Sequence, residues 1–206
     1  MRKILSAALS LTLLAATSAD AVATSAASEA RQARTRQGAE QRQTYAASDK
    51  YSPYDPQNRE IRNAAFALLA KKKYSEAVAA AEKGLARFPC DIELHLALAI
   101  GWRESGDNVK ADRLADAYTG LIDSILESGT GRDYASAFQV ISVDEEYCAV
   151  RALHLKVMKQ TLKYNEGHAY DVLTVKGEKT DEFPLYFNID LPNRWLQKQF
   201  AATGKE

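Results

Sequence analysis

His168-Ala169-Tyr170-Asp171-Val172-Leu173-Thr174-Val175-Lys176, the run Gly177-Glu178-Lys179-Thr180-Asp181, and Phe183-Pro184-Leu185-Tyr186-Phe187-Asn188-Ile189 together decide the fold. Apolar and polar residues alternate with a period of two, the signature of a half-buried strand. In 183–189, Phe183, Leu185, Phe187 and Ile189 share one face, while Tyr186 and Asn188 share the other, with Asp190 in line beyond them. In 168–176, Leu173 and Val175 point one way and His168, Tyr170 and Thr174 the opposite way. The charged run from Lys176 to Asp181 between them reads as a hairpin loop. Asp171 falls on the apolar side by this parity, which predicts a strand end or a bulge there.

Working outward, a third strand-like run lies at about 158–164, and Phe138 to Ile141 reads as a short strand. Ser142 with Glu145 three residues on forms a capping box, so a helix starts near Val143 and carries Cys148, Ala152 and Leu155 on one face. Asp144, Glu145 and Glu146 occupy its first turn, where negative charge favours the helix dipole. Pro192 follows the last strand, and Asn193 can cap a closing helix through Trp195, Leu196 and Phe200.

Upstream, from Asn58 to Leu126, the period changes to that of helices. Ile61, Ala65, Leu68 and Leu69 make one stripe, and Val78, Ala81, Leu85 and Phe88 a second, which Pro89 stops. Asp91 can cap a third helix through Leu94, Leu98 and Trp102, closed by Gly106-Asp107, and a fourth runs through Ala111, Leu114, Tyr118, Ile122 and Ile125. Tyr74, Ala77, Gly84 and Pro89, with small residues repeating 34 places apart from Ala65 to Ala99 and from Ala77 to Ala111, resemble a pair of tetratricopeptide units. Two units are fewer than a free-standing array needs, so these hairpins should pack on the rest of the chain. The fold class expected is α+β: a four-helix tetratricopeptide-like lobe over 51–127, packed on a small antiparallel β-sheet with one or two extra helices over 128–206, the two lobes forming one compact unit.

The first residues carry an address. Arg2 and Lys3 precede an apolar stretch of 13 residues from Ile4 to Ala16, and Ala21-Val22-Ala23 offers a small-x-small cleavage site. Such a stretch spans roughly 20 Å as a helix, short of a ~30 Å hydrocarbon core. Residues 1–23 are therefore read as a signal peptide cleaved near Ala23, which places the mature chain in the periplasm or outside the cell with no membrane insertion. Residues 24–50, rich in Ala, Ser, Gln, Arg and Thr, lack large apolar side chains and read as a flexible tether. The whole chain has 27 basic and 27 acidic residues. With no basic stripe, nothing supplies the attraction to a phosphate backbone, and a nucleic-acid partner is not expected.

In an oxidising compartment Cys90 and Cys148 can pair; the alternative is two buried thiols that never meet. They lack the short paired spacing of zinc sites, and His95, His154 and His168 lie far apart, so neither a metal nor a cofactor is expected.

Ser128-Gly129-Thr130-Gly131, Val140-Ile141, Glu146-Tyr147, Tyr170-Asp171 and Tyr186-Phe187-Asn188-Ile189, taken in this order with the Tyr51-Ser52-Pro53-Tyr54 lead-in, resemble a family of exported bacterial proteins known as domain of unknown function 4919. The resemblance spans roughly residues 50–200 and implies domain limits without an activity.

If Leu173 and Val175 join the phenylalanines in the core, His168, Tyr170, Tyr186, Asn188 and Asp190 gather on one polar, aromatic face. Aromatic bodies with polar tips suit a sugar, a peptide or a small polar ligand. The plainer alternative is a solvated sheet face, or one whose tyrosines hydrogen-bond a covering loop. Thr130, between two glycines, is the one loop hydroxyl of interest. Two functional readings follow. The first is a non-enzymatic binding or interaction module of the bacterial envelope, engaging an envelope protein, a peptide or a small polar ligand. The alternative is an exported hydrolase with His168 as general base oriented by Asp190. No nucleophile elbow, phosphate loop, dinucleotide fingerprint or zinc helix is present.

Overall fold

Among the described residues five helices precede the first strand in the computed structural model, which describes residues 5–203, with side chains from 24 to 202. They are α1 (Leu5–Ala46), α2 (Pro56–Ala70), α3 (Tyr74–Arg87), α4 (Ile92–Glu104) and α5 (Asn108–Leu126). Then come β1 (Phe138–Gln139), α6 (Val143–Ala152), β2 (Lys156–Asn165), β3 (His168–Lys176), β4 (Phe183–Asn188) and α7 (Asp190–Thr203). Caps set the boundaries: Asp55 accepts the Gln57 N–H ahead of Pro56, and Asp91 accepts the Leu94 N–H at 2.7 Å. The signal peptide expected for residues 1–23 lies outside the residues whose side chains are described. No helix among the described residues is long and apolar enough to cross a membrane.

The helices α2, α3 and α4 enclose one apolar cluster, with Ala65, Ala81, Leu94 and Ala97 at its centre. A second, larger cluster joins α5 and α6 to the sheet through Leu121, Ile125, Val150, Leu173, Val175, Leu185 and Phe187. Full burial of Phe187 alone stabilises by roughly 1.5–3 kcal/mol. The core face deduced from the alternation of 183–189 is the face that packs.

Four strands form one sheet in the order β1-β4-β3-β2. The pairs β2–β3 and β3–β4 are antiparallel, but β1 runs parallel to β4, with Phe138 opposite Phe187, so the sheet is mixed and not purely antiparallel. The parallel pair arises because α6 and the hairpin intervene between β1 and β4, a crossover that a tight turn cannot make. Glu166 (φ 50°) and Gly167 (φ 83°) join β2 to β3, two residues of positive φ as a hairpin turn demands. Pairing through Asp171, opposite Phe187, is uninterrupted, so no bulge excuses its place on the core face; the register shifts in β2 instead, between Val157 and Lys159.

Three further expectations are corrected. The tether expected over residues 24–50 is largely the second half of α1, packed along α5. Its contact is one of backbone approach, not of apolar bulk. A Cβ on Gly38 would collide with the Gly120 carbonyl, and one on Gly120 with the Arg34 carbonyl. Arg31–Asp123 (3.2 Å) and Arg34–Asp116 (3.4 Å) flank the crossing. Ser142 is the N-cap of α6 but makes no side-chain cap bond: its carbonyl accepts the Glu145 N–H (3.2 Å), while the Glu145 carboxylate, instead of closing the box, is drawn to Arg42 and to the Ile141 N–H (2.9 Å). Finally, α7 begins at Asp190 and takes Pro192 into its first turn, so Asn193 is not its cap.

Candidate functional site

His168 is the first residue of β3 and Asn188 the last of β4, and the antiparallel register sets Asn188 opposite Tyr170, two residues from His168. One residue beyond β4, Ile189 donates its N–H to the Ala169 carbonyl at 3.0 Å, so the chain enters α7 still tied to β3. Asp190 is thereby carried over the start of β3. Its Oδ1 accepts the Ala169 N–H (2.8 Å), its Oδ2 lies 2.6 Å from His168 Nδ1, and its own N–H is accepted by Asn188 Oδ1 at 3.0 Å. Arg194, one helical turn on, places Nη1 3.7 Å from the same Oδ2. Burial pushes the Asp190 carboxyl up, but the Ala169 N–H and His168 outweigh it and hold the group below the usual carboxylate range.

Over this corner lies a cleft of about 600 Å³, within the usual size of small-ligand pockets. One wall is the C-terminal end of α1, with the small residues Ala39, Ala46 and Ala47; the other is Val140, Ile141 and Leu191. His168, Asn188, Asp190 and Arg194 stand at the polar end. Arg42 is held at the bottom by a buried fork: Nε and Nη2 both reach Glu145 at 2.8 Å, and Nη2 also donates to the Gln139 carbonyl at 2.6 Å. No serine, threonine or cysteine lines the cleft among the described residues.

Of the residues singled out in the sequence, His168, Asn188 and Asp190 meet in this cleft. Tyr170 and Tyr186 do not line it: the ring of Tyr134 sits edge-on to both, with centroids 4.9 Å away in each case, so a loop side chain covers them. Tyr186 also donates its N–H to the Gly131 carbonyl of that loop at 2.9 Å. Thr130 stands apart and spends its hydroxyl on Ser136 Oγ at 2.9 Å, closing the loop. Cys90 and Cys148 are free thiols, both buried and both lining one small cavity of about 30 Å³. Cys90 donates to the Gln41 carbonyl (3.3 Å) and Cys148 accepts from Arg151 (3.2 Å). Burial pushes the Cys90 thiol up to about 12 and raises that of Cys148 as well, which disfavours the thiolate of each in the folded protein.

The model of the family described as domain of unknown function DUF4919 matches residues 43–198. This chain belongs to that family. The matched span contains the whole polar end of the cleft and stops short of Arg42. A stretch of 99 residues is also similar, at 27% identity, to the phenylalanine–tRNA ligase beta subunit of Geobacillus kaustophilus (strain HTA426). That alignment covers 44% of this chain and 12% of the ligase subunit. No solved structure matches.

The DUF4919 domain also holds a pair of carboxyls: Glu146, which the sequence assigns to the dipole of α6, and Asp171, expected at a strand end or bulge. Glu146 is fully buried, and neither of its oxygens has a hydrogen-bond donor among the described residues. Across from it on β3 is Asp171, 6% exposed, which accepts from Gln160 Nε2 at 2.7 Å; Gln160 Oε1 in turn accepts the Tyr147 hydroxyl at 2.7 Å. Burial, and then the neighbouring Asp171, push the Glu146 carboxyl well above its ordinary range. Burial and a second carboxyl nearby both disfavour the charged form of Glu146, so the pair favours a proton on Glu146 beside the Asp171 carboxylate. The sequence held one sign of this: an aspartate on the apolar parity of β3.

Proposed function

We propose that the domain is a non-enzymatic binding module of the bacterial envelope, taking a peptide or a small polar ligand in the cleft between the end of α1 and the start of α7. The observation that carries this reading is the convergence of His168, Asn188, Asp190 and Arg194 on one end of a cleft whose walls are largely apolar. Such a division, with apolar walls for affinity and a few fixed polar groups for orientation, is what small-ligand sites share. The Arg2-Lys3 and Ile4–Ala16 address supports export, with cleavage near Ala23 leaving the α1 segment that forms the cleft wall. The tetratricopeptide-like spacing of α2 to α5 supports a partner-binding role for the helical lobe.

A hydrolase is the second reading, and the 2.6 Å contact between His168 and Asp190 favours it, since an aspartate that orients an imidazole prepares a general base. With no side-chain hydroxyl or thiol lining the cleft among the described residues, such a base would activate water. His168→Ala and Asp190→Asn, assayed side by side for ligand binding by calorimetry and for ester and amide hydrolysis, separate the two. Binding without turnover in the unaltered protein upholds the module; turnover abolished by both substitutions overturns it.

A further inference from the structure

The partners already taken in the cleft define what remains for a ligand. Asp190 accepts at both oxygens, from Ala169 and from His168, and its third neighbour is Arg194. Asn188 has spent its Oδ1 on the Asp190 N–H, which leaves the amide nitrogen. Arg42 is consumed by Glu145 and the Gln139 carbonyl. Arg194 makes no hydrogen bond among the described residues, and its one ionic contact is long, at 3.7 Å. The polar end thus offers the guanidinium of Arg194, the Asn188 amide and the His168 ring against one carboxylate, each of whose oxygens already accepts a bond. Donors in surplus call for an acceptor, and a planar guanidinium matches a carboxylate best. The opposite end of the cleft, formed by Ala39, Ala46, Ala47, Val140 and Leu191, has room and apolar surface, and the one charge on that wall, Arg42, is already paired with Glu145.

We infer that the cleft seats a terminal carboxylate carried by an apolar body, with Arg194 and Asn188 binding the carboxylate and the alanine-lined wall of α1 covering the body. This rests on the reading of the cleft as a binding site and narrows it to one ligand chemistry. The C-terminus of an apolar peptide and a small apolar carboxylic acid share that chemistry. Asp190 is a positioning residue: it holds His168 and keeps Arg194 at the mouth.

The test uses the full chain, isotopically labelled, with NMR signals of Ala46, Val140 and Leu191 as reporters. The probes are octanoate, octanamide, octylamine, and the tripeptide Ala-Ala-Val with a free or an amidated C-terminus. The expected result is saturable shifts with an acid, and binding of the matching amide weaker by about tenfold or more, the factor of a lost charge-assisted bond. Arg194→Gln should erase that preference, while Arg113→Gln, at an exposed position of α5, should leave it intact. Octanoate binding without the tripeptide assigns a small acid, and the reverse assigns a peptide end; either supports the proposal. Acid and amide binding alike, or octylamine binding best, overturns the carboxylate assignment while the cleft stays a binding site. Silence of the reporters with all five probes overturns both readings.

Discussion

Glu145 and Glu146 are neighbours in the sequence, both buried, and α6 turns them to opposite companions. Glu145 faces α1 and is neutralised by the guanidinium of Arg42, with both carboxylate oxygens bonded. Glu146 faces β3 and is neutralised by keeping its proton beside Asp171. The first arrangement joins two ions and depends on a distant helix. The second joins an acid to a carboxylate within the domain and depends on pH. The same residue type thus anchors α6 by two different means, and each has its own point of failure.

The largest effect is expected from Arg42→Met, which leaves Glu145 buried without a cation. Removing one partner of a buried pair costs about 3–5 kcal/mol, measured as the shift in free energy from urea unfolding. The same variant should make residues 24–46 sensitive to protease, because their strongest tie to α6 is gone. Gly38→Ala comes next. The added methyl meets the Gly120 carbonyl, and overpacking of this kind costs about 1–3 kcal/mol. If Gly38→Ala loosens α1 while the pH dependence of stability keeps its form, the two anchors of α6 are independent.

Glu146→Gln should act in the opposite direction. A carboxyl whose folded value is raised contributes stability that is fully present below the unfolded value, about 4.3, and is lost as pH rises toward the folded one. The unaltered domain should therefore lose stability from about pH 4.5 upward on this account. The glutamine retains an N–H to offer Asp171 and does not ionise, so it should remove that decline and raise stability at pH 8 relative to the unaltered domain, read from urea unfolding at pH 5 and pH 8. An unchanged pH profile in Glu146→Gln would show that Glu146 is not the group that titrates. The smallest effect is that of His168→Ala: an exposed contact to Asp190 is worth about 0–1 kcal/mol, so the melting temperature should hardly move while affinity in the cleft falls.

Much of the scaffold is legible in the residues, because strand alternation and helical stripes report directly on which face is apolar. Leu173, Val175, Leu185 and Phe187 are buried on the face that their parity predicts. His168, Asn188 and Asp190 share a site for the same reason, since parity and a short hairpin bring strand ends together. What hydropathy does not register is polar or backbone-close packing. The second half of α1 has few apolar side chains, yet it packs through Gly38, Gly120 and a buried arginine, and those contacts exist only once the chain has folded back on itself. Tyr134 lies in a loop without periodicity, so nothing in the pattern foretells that it covers Tyr170 and Tyr186. Asp171 was visible as an oddity of parity while the helix dipole accounted for Glu146, and their adjacency is a fact of register between a helix and a strand.

The register shift in β2 has a use of its own. That strand is the outer margin of the sheet, ten residues long, with Leu162 and Tyr164 half or more exposed. Such a margin invites another chain to continue the ladder, yet the kink between Val157 and Lys159 twists it out of line, and Lys156, Lys159 and Lys163 would face like charges on any copy that docked there. Crowded solutions of the domain should stay free of fibrils for that reason.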